Sequence, residues 1–126
     1  MTKLFLVVAA LSGLLAVAIG AFGAHGLKGR VAADLMVIYQ TGVQYHFYHT
    51  FAILFVALLM MHYPQLGLLR WSGVFFIVGI LIFSGSLYVM ALTGLRWLGA
   101  VTPIGGLALI VGRFLLALSA YQGGGE

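Results

Sequence analysis

Charge in this chain is confined almost entirely to its joints. Residues 4–27, 35–69 and 71–95 contain no Asp, Glu, Lys or Arg, and from residue 97 onward only Arg113 and Glu126 are charged. Six basic and two acidic residues cannot cover a folded chain of 126 residues against water. Soluble domains use about 25% charged residues for that purpose. Here 6% are charged and 63% hydrophobic, and the mean hydropathy is +1.18. The difficulty disappears if hydrocarbon is the solvent. About 20 apolar residues cross a bilayer core as a helix. The expected fold is therefore all-α: an integral membrane bundle of four transmembrane helices, forming one membrane domain over residues 1–126.

The joints place the spans near residues 4–24, 35–62, 72–92 and 98–121, with a disordered tail at 122–126. The first run is longer than the 7–15 apolar residues of a secretory signal, so it is expected to stay as a span. Glycines and charges mark residues 25–30 as a turn, and Pro64 stops the second helix. Arg70-Trp71 and Arg96-Trp97 each set a basic anchor beside an aromatic one, at opposite surfaces. Near the last span, Thr102 can cap with Pro103 in the first helical position, or residues 98–101 form a broken half-turn. Lys3 and Arg70 on one side, against Lys28, Arg30 and Arg96 on the other, leave orientation undecided. The net charge of +4 is spread over headgroup anchors and not gathered into a nucleic-acid surface. The absence of Cys excludes disulfides, Fe–S clusters and thiolate metal sites.

Lipid tails give helices little reason to associate, so close approach and polar contacts must do so. Ala16, Gly20 and Ala24 form small-residue steps on the first span, extended upstream by Ala9 and Gly13; Ala108 and Gly112 repeat the pattern on the fourth. These faces are expected to pack within the chain, and they also permit a homo-oligomer. The partner implied by composition is the lipid bilayer.

The stretch from Tyr39 to Thr50 holds most of the polar chemistry. At 100° per residue Gln40, Thr41, Gln44 and Tyr48 share a side, while Tyr45, His46 and His49 occupy an adjoining one. Such a segment sits in the headgroup zone or is enclosed by other helices. Four readings follow: a metal between His46, His49 and His25; an axial haem histidine; a proton or substrate path; or hydrogen bonds that only lock the bundle. With no Cys and only Asp34 and Glu126 as acids, no metal site and no cofactor are expected. No Ser/His/Asp, paired-carboxylate or phosphate-loop arrangement is present, so no catalytic residue is assigned. Asp34 suits the positive end of the second helix, four residues after Arg30. Arg113 lies mid-span, where an arginine costs about 2.5–3.5 kcal/mol. It is expected to snorkel toward the interface near Tyr121, the alternatives being pairing with Asp34, carbonyls, a tyrosine or a lipid phosphate.

Four blocks in order carry a family resemblance: Gly20-Ala21-Phe22-Gly23-Ala24-His25-Gly26; Gln40-Thr41-Gly42 with Tyr45 and His49-Thr50; Phe83-Ser84-Gly85-Ser86-Leu87-Tyr88; and Thr102-Pro103 with Gly105-Gly106. With them the chain resembles the YgdD/YwdK family of small inner-membrane proteins. The resemblance implies a four-helix topology, a multi-pass place in the inner (plasma) membrane, and no established activity. It puts His25, Tyr45, His49, Ser84, Ser86, Tyr88 and Pro103 in family-like blocks, treats His46 as more variable, and marks Arg113 as a departure from a Trp at that place.

Connectivity directs all four blocks toward one leaflet. The expected site is a polar cluster of His25, Gln40, Gln44, Tyr45, His49, Ser84, Ser86, Tyr88 and Thr102 that binds a small ligand, a lipid headgroup or protons. In the alternative, a structural or accessory protein uses the same groups to lock the bundle or dock a partner.

Overall fold

The charge-free runs fold as helices in the computed structural model, which describes residues 1–123. They are α1 (Thr2–Leu27), α2 (Ala33–His62), α3 (Gly67–Thr93) and α4 (Thr102–Gly123), the last preceded by a 3₁₀ turn at Arg96–Ala100. Among the described residues there is no strand, and four helical segments are long and apolar enough to cross a membrane. The all-α, four-span architecture expected from charge spacing is the one observed. With 30 residues, α2 is about 45 Å long, close to the 40–45 Å of a bilayer with its headgroups. Its first turns therefore stand among headgroups.

Boundaries differ in detail. Arg70 and Trp71 lie inside the first turns of α3, with the guanidinium 5.9 Å from the indole ring. Gln122 and Gly123 belong to α4, and the rest of the expected tail lies outside the described residues. Asp34 does not pair with Arg30. It meets Arg96 at 2.8 Å, tying the start of α2 to the turn before α4.

The helices pack in chain order: α1 on α2, α2 on α3, and α3 on α4, which leaves α1 and α4 on the flanks. Two apolar cores sit at opposite ends. Phe5, Ile53, Val56, Leu69, Phe76 and Leu109 build one; Leu27, Leu35, Tyr39, Leu87 and Met90 build the other. A layer of polar side chains separates them.

Small residues set the helix spacing. Gly13 and Gly20 face Thr50 and Val43 of α2, so the α1 steps are used within the chain, although Ala24 is exposed. On α4 the packed face holds Gly105, Leu109 and Gly112, with Ala108 half-buried beside it. A Cβ at Gly105 would meet the backbone of Ile82 and Phe83, which cannot yield as a side chain can. That backbone belongs to a π-helical turn at Ile80–Ser84, a feature often found where a helix serves a special contact. The same turn aims the Ser84 hydroxyl at the Gly42 carbonyl of α2, 2.7 Å away. Ser72 donates to the Gly112 carbonyl, also at 2.7 Å. Thr102 does not cap the helix ahead of it. Its hydroxyl lies 2.6 Å from Ser86 Oγ and 3.3 Å from the Leu98 carbonyl.

Candidate functional site

The polar layer begins with His46, which is 5% exposed. Its Nδ1 lies 2.9 Å from the Tyr88 hydroxyl on α3 and its Nε2 3.0 Å from Ser12 Oγ on α1. Ser12 in turn lies 2.5 Å from Thr50 Oγ1. A neutral imidazole has one N–H and one lone pair, so of Tyr88 and Ser12 one donates to His46 and the other accepts from it. The chain Tyr88–His46–Ser12–Thr50 joins three helices. Beside it, Tyr39 stands 5.4 Å from the Tyr88 ring and donates to the Ile19 carbonyl at 2.5 Å. Ser86 Oγ lies 2.9 Å from the Phe83 carbonyl and 2.6 Å from Thr102 Oγ1. Among the described residues, no buried side-chain nitrogen or oxygen lacks a partner. A groove of about 400 Å³ opens between α1 and α3 over His46 and Tyr88, and most of its wall is aliphatic, including Leu11, Leu15, Ile77 and Leu81.

His49 faces a different neighbour. Its Nδ1 lies 2.9 Å from the Tyr45 carbonyl, which can only accept, so Nδ1 carries the hydrogen. Nε2 then offers its lone pair to Arg113 Nη2, 3.3 Å away on α4. Arg113 does not snorkel toward Tyr121. In a helix the Cα–Cβ bond tilts toward the N-terminus, which carries this side chain away from Tyr121 and over the Phe76 ring at 6.0 Å. The Tyr45 ring stacks on His49 and lies 4.7 Å from Phe83. Tyr45, Tyr48, His49, Phe83 and Arg113 line a second groove of about 480 Å³, between α2 and α4.

Gln40 and Gln44 point elsewhere. Four residues apart and both exposed, they border a cleft of about 250 Å³ against Gly20, Gly23 and Ala24 of α1. A Cβ at Gly23 would strike the Tyr39 ring, so α1 comes close at Tyr39 and leaves room one residue further on. The cleft continues into a space of about 490 Å³ that Lys28 borders together with Gln40. Among the described residues, neither glutamine amide has a hydrogen-bond partner.

The residues singled out from sequence thus fall into separate places. Ser86 of α3 meets Thr102 at the start of α4, Ser84 turns to the Gly42 carbonyl and Tyr88 to His46; Tyr45 and His49 face Arg113; Gln40 and Gln44 face α1; His25 is exposed on the π-helical turn that ends α1 and borders neither groove nor the cleft. At the centre of the interior layer stand His46, which the sequence offers only as a possible metal ligand outside the expected cluster, and Ser12, which it does not mark. A signal existed: Tyr39, Gly42, His46, His49 and Ile53 recur at helical spacing and are the buried stripe of α2. Among the described residues, no three of His, Cys, Asp and Glu come together as metal ligands.

Four hydrophobic helices with a polar layer between two apolar cores define a small multi-pass membrane protein. The family described as protein of unknown function (DUF423) matches residues 19–106. The UPF0382 membrane protein YwdK of Bacillus subtilis is 41% identical over 120 residues, covering 95% of this chain and 98% of that relative. The UPF0382 inner membrane protein YgdD of Escherichia coli K12 is 42% identical over 121 residues, covering 96% and 92%. A Staphylococcus haemolyticus relative, UPF0382 membrane protein SH2409, is 38% identical over 120 residues, covering 95% and 97%. The chain belongs to this DUF423/UPF0382 family, and its place is the inner membrane, crossed several times. No solved structure matches it.

Proposed function

We propose that the protein is a membrane module that holds a phospholipid headgroup in the cleft between α1 and α2. One observation carries the reading: the Gln40 and Gln44 amides open onto that cleft with no protein partner among the described residues. An unpaired amide in hydrocarbon costs several kcal/mol, so two of them on one face favour an occupant that hydrogen-bonds. Depth supports a lipid. Counted from Ala33, Gln40 is about 10 Å and Gln44 about 16 Å along the helix, in the acyl region below the glycerol esters, and both side chains lean back toward the helix N-terminus and the headgroups. Each amide offers two N–H donors and one carbonyl acceptor, which suits ester and phosphate oxygens. Lys28, at the mouth, adds the positive charge that a phosphate seeks. The interior chain through His46 is complete without any ligand, which supports a scaffold role for it.

The test is the double variant Gln40→Leu/Gln44→Leu in detergent. Added phosphatidylglycerol should raise the thermal midpoint of the native protein and leave that of the variant unmoved, while the variant unfolds no earlier in lipid-free detergent. An equal lipid response in both proteins contradicts the proposal. So does a cross-link between two copies that the variant abolishes, because the amides would then serve a homo-oligomer. Lys28→Gln should reduce the preference for phosphatidylglycerol over phosphatidylethanolamine without ending binding.

A further inference from the structure

Arg113 has no carboxylate within 4.0 Å among the described residues, where the one salt bridge is Asp34–Arg96 at the surface. Its contact with His49 does not neutralise it. Because His49 Nδ1 is committed to the Tyr45 carbonyl, the ring meets the guanidinium through a lone pair and stays uncharged. A net positive charge therefore stands near the middle of α4, exposed toward the groove between α2 and α4. A guanidinium has five N–H donors, and the His49 contact takes one of them. The hydroxyl-bearing rings of Tyr45 and Tyr48 line the same groove, and among the described residues neither hydroxyl has a protein partner. The remaining wall is apolar, with Phe83, Leu109 and Ile110.

We infer that this groove binds a lipid-soluble oxyanion, a carboxylate on a single alkyl chain, with its oxygens on Arg113. The logic is one of complementarity. A cation this deep requires a counter-charge, and among the described residues the protein places none beside it. A carboxylate accepts two parallel N–H bonds from a guanidinium in a fork that matches its shape. Tyrosine hydroxyls can donate further bonds to the same oxygens. The alkyl chain lies along Leu109 and Ile110, and the volume of about 480 Å³ falls in the range of about 300–1,000 Å³ usual for small-molecule sites. His49 is a positioning residue here: its lone pair holds the guanidinium toward the groove. The site shares no lining residue with the cleft at Gln40 and Gln44, so either can fail without the other.

The experiment is a titration of the full chain in neutral detergent micelles, at mildly alkaline pH, following the arginine guanidinium-carbon resonances, which do not exchange with water. Dodecanoate should shift one resonance saturably, and its loss in Arg113→Gln should assign it. Dodecanol, of equal chain length without charge, and inorganic phosphate, an oxyanion without a chain, should leave it in place. Arg113→Gln should bind dodecanoate about tenfold or more weakly, the effect of removing one charge-assisted bond pair. Tyr48→Phe should weaken it less, and both variants should keep the helical circular dichroism of the native protein. The inference is overturned if dodecanol shifts the resonance as dodecanoate does, if phosphate competes, or if Arg113→Gln binds dodecanoate unchanged.

Discussion

His46 and Gln44 stand two residues apart on α2, about 3 Å different in depth, yet the protein treats them in opposite ways. His46 is buried, with both ring nitrogens bonded, one toward α3 and one toward α1. Gln44 is exposed beside a cleft that the glycines of α1 leave open. Depth and polarity are nearly matched, so neither decides the role. What decides it is the neighbour: a helix carrying a hydroxyl makes the polar group a rivet, and a helix carrying glycine leaves it for something outside the chain. In a solvent that cannot hydrogen-bond, a group satisfied inside is structural and an unsatisfied one implies an occupant.

The comparison breaks first at His46. Replacing it with Ala removes two interhelical hydrogen bonds, leaves Tyr88 and Ser12 facing a void, and should cost about 2–4 kcal/mol. Unfolding by a graded denaturing detergent would measure this, and a loss below about 0.5 kcal/mol would place the His46 chain outside the scaffold. Gln40→Leu/Gln44→Leu should behave in the contrary manner. It removes as many polar groups from the same helix, yet should leave lipid-free stability within about 0.5 kcal/mol of the native value or above it. A large loss would mean that these amides, too, are rivets. The smallest effect belongs to the surface. Asp34 and Arg96 are 60% and 59% exposed, so Asp34→Asn should leave the unfolding midpoint nearly where it is, and the small difference should shrink as salt is added.

Much of the architecture could be read from where charge is missing. The turns at Lys28–Arg30 and at Pro64 follow from residue type alone, and so does the count of spans. The partition of the polar residues could not be read this way. His46 bonds to Tyr88 and Ser12, 42 and 34 residues away, and no local pattern identifies which of the polar groups on α2 meets a hydroxyl. Connectivity makes the contact between Ser86 and Thr102 legible, because one short turn separates α3 from the start of α4. It says nothing of rotation about α2, which sends His49 toward α4 and Gln40 toward α1. The course of Arg113 is hidden for a related reason: distance to the interface points to Tyr121, while the tilt of the Cα–Cβ bond turns the side chain toward His49 and Phe76. The π-helical turn in α3 shifts the facing of all that follows it, and no residue in Ile80–Ser84 announces it.

A density map of the full chain in lipid nanodiscs would test the central distinction most directly. It should show a phospholipid lodged between α1 and α2, with phosphate near Lys28 and ester oxygens within hydrogen-bond reach of the Gln40 and Gln44 amides, and only Tyr88 and Ser12 within hydrogen-bond reach of the His46 nitrogens. Amides turned onto a neighbouring copy, or density against His46 with the cleft empty, would contradict it.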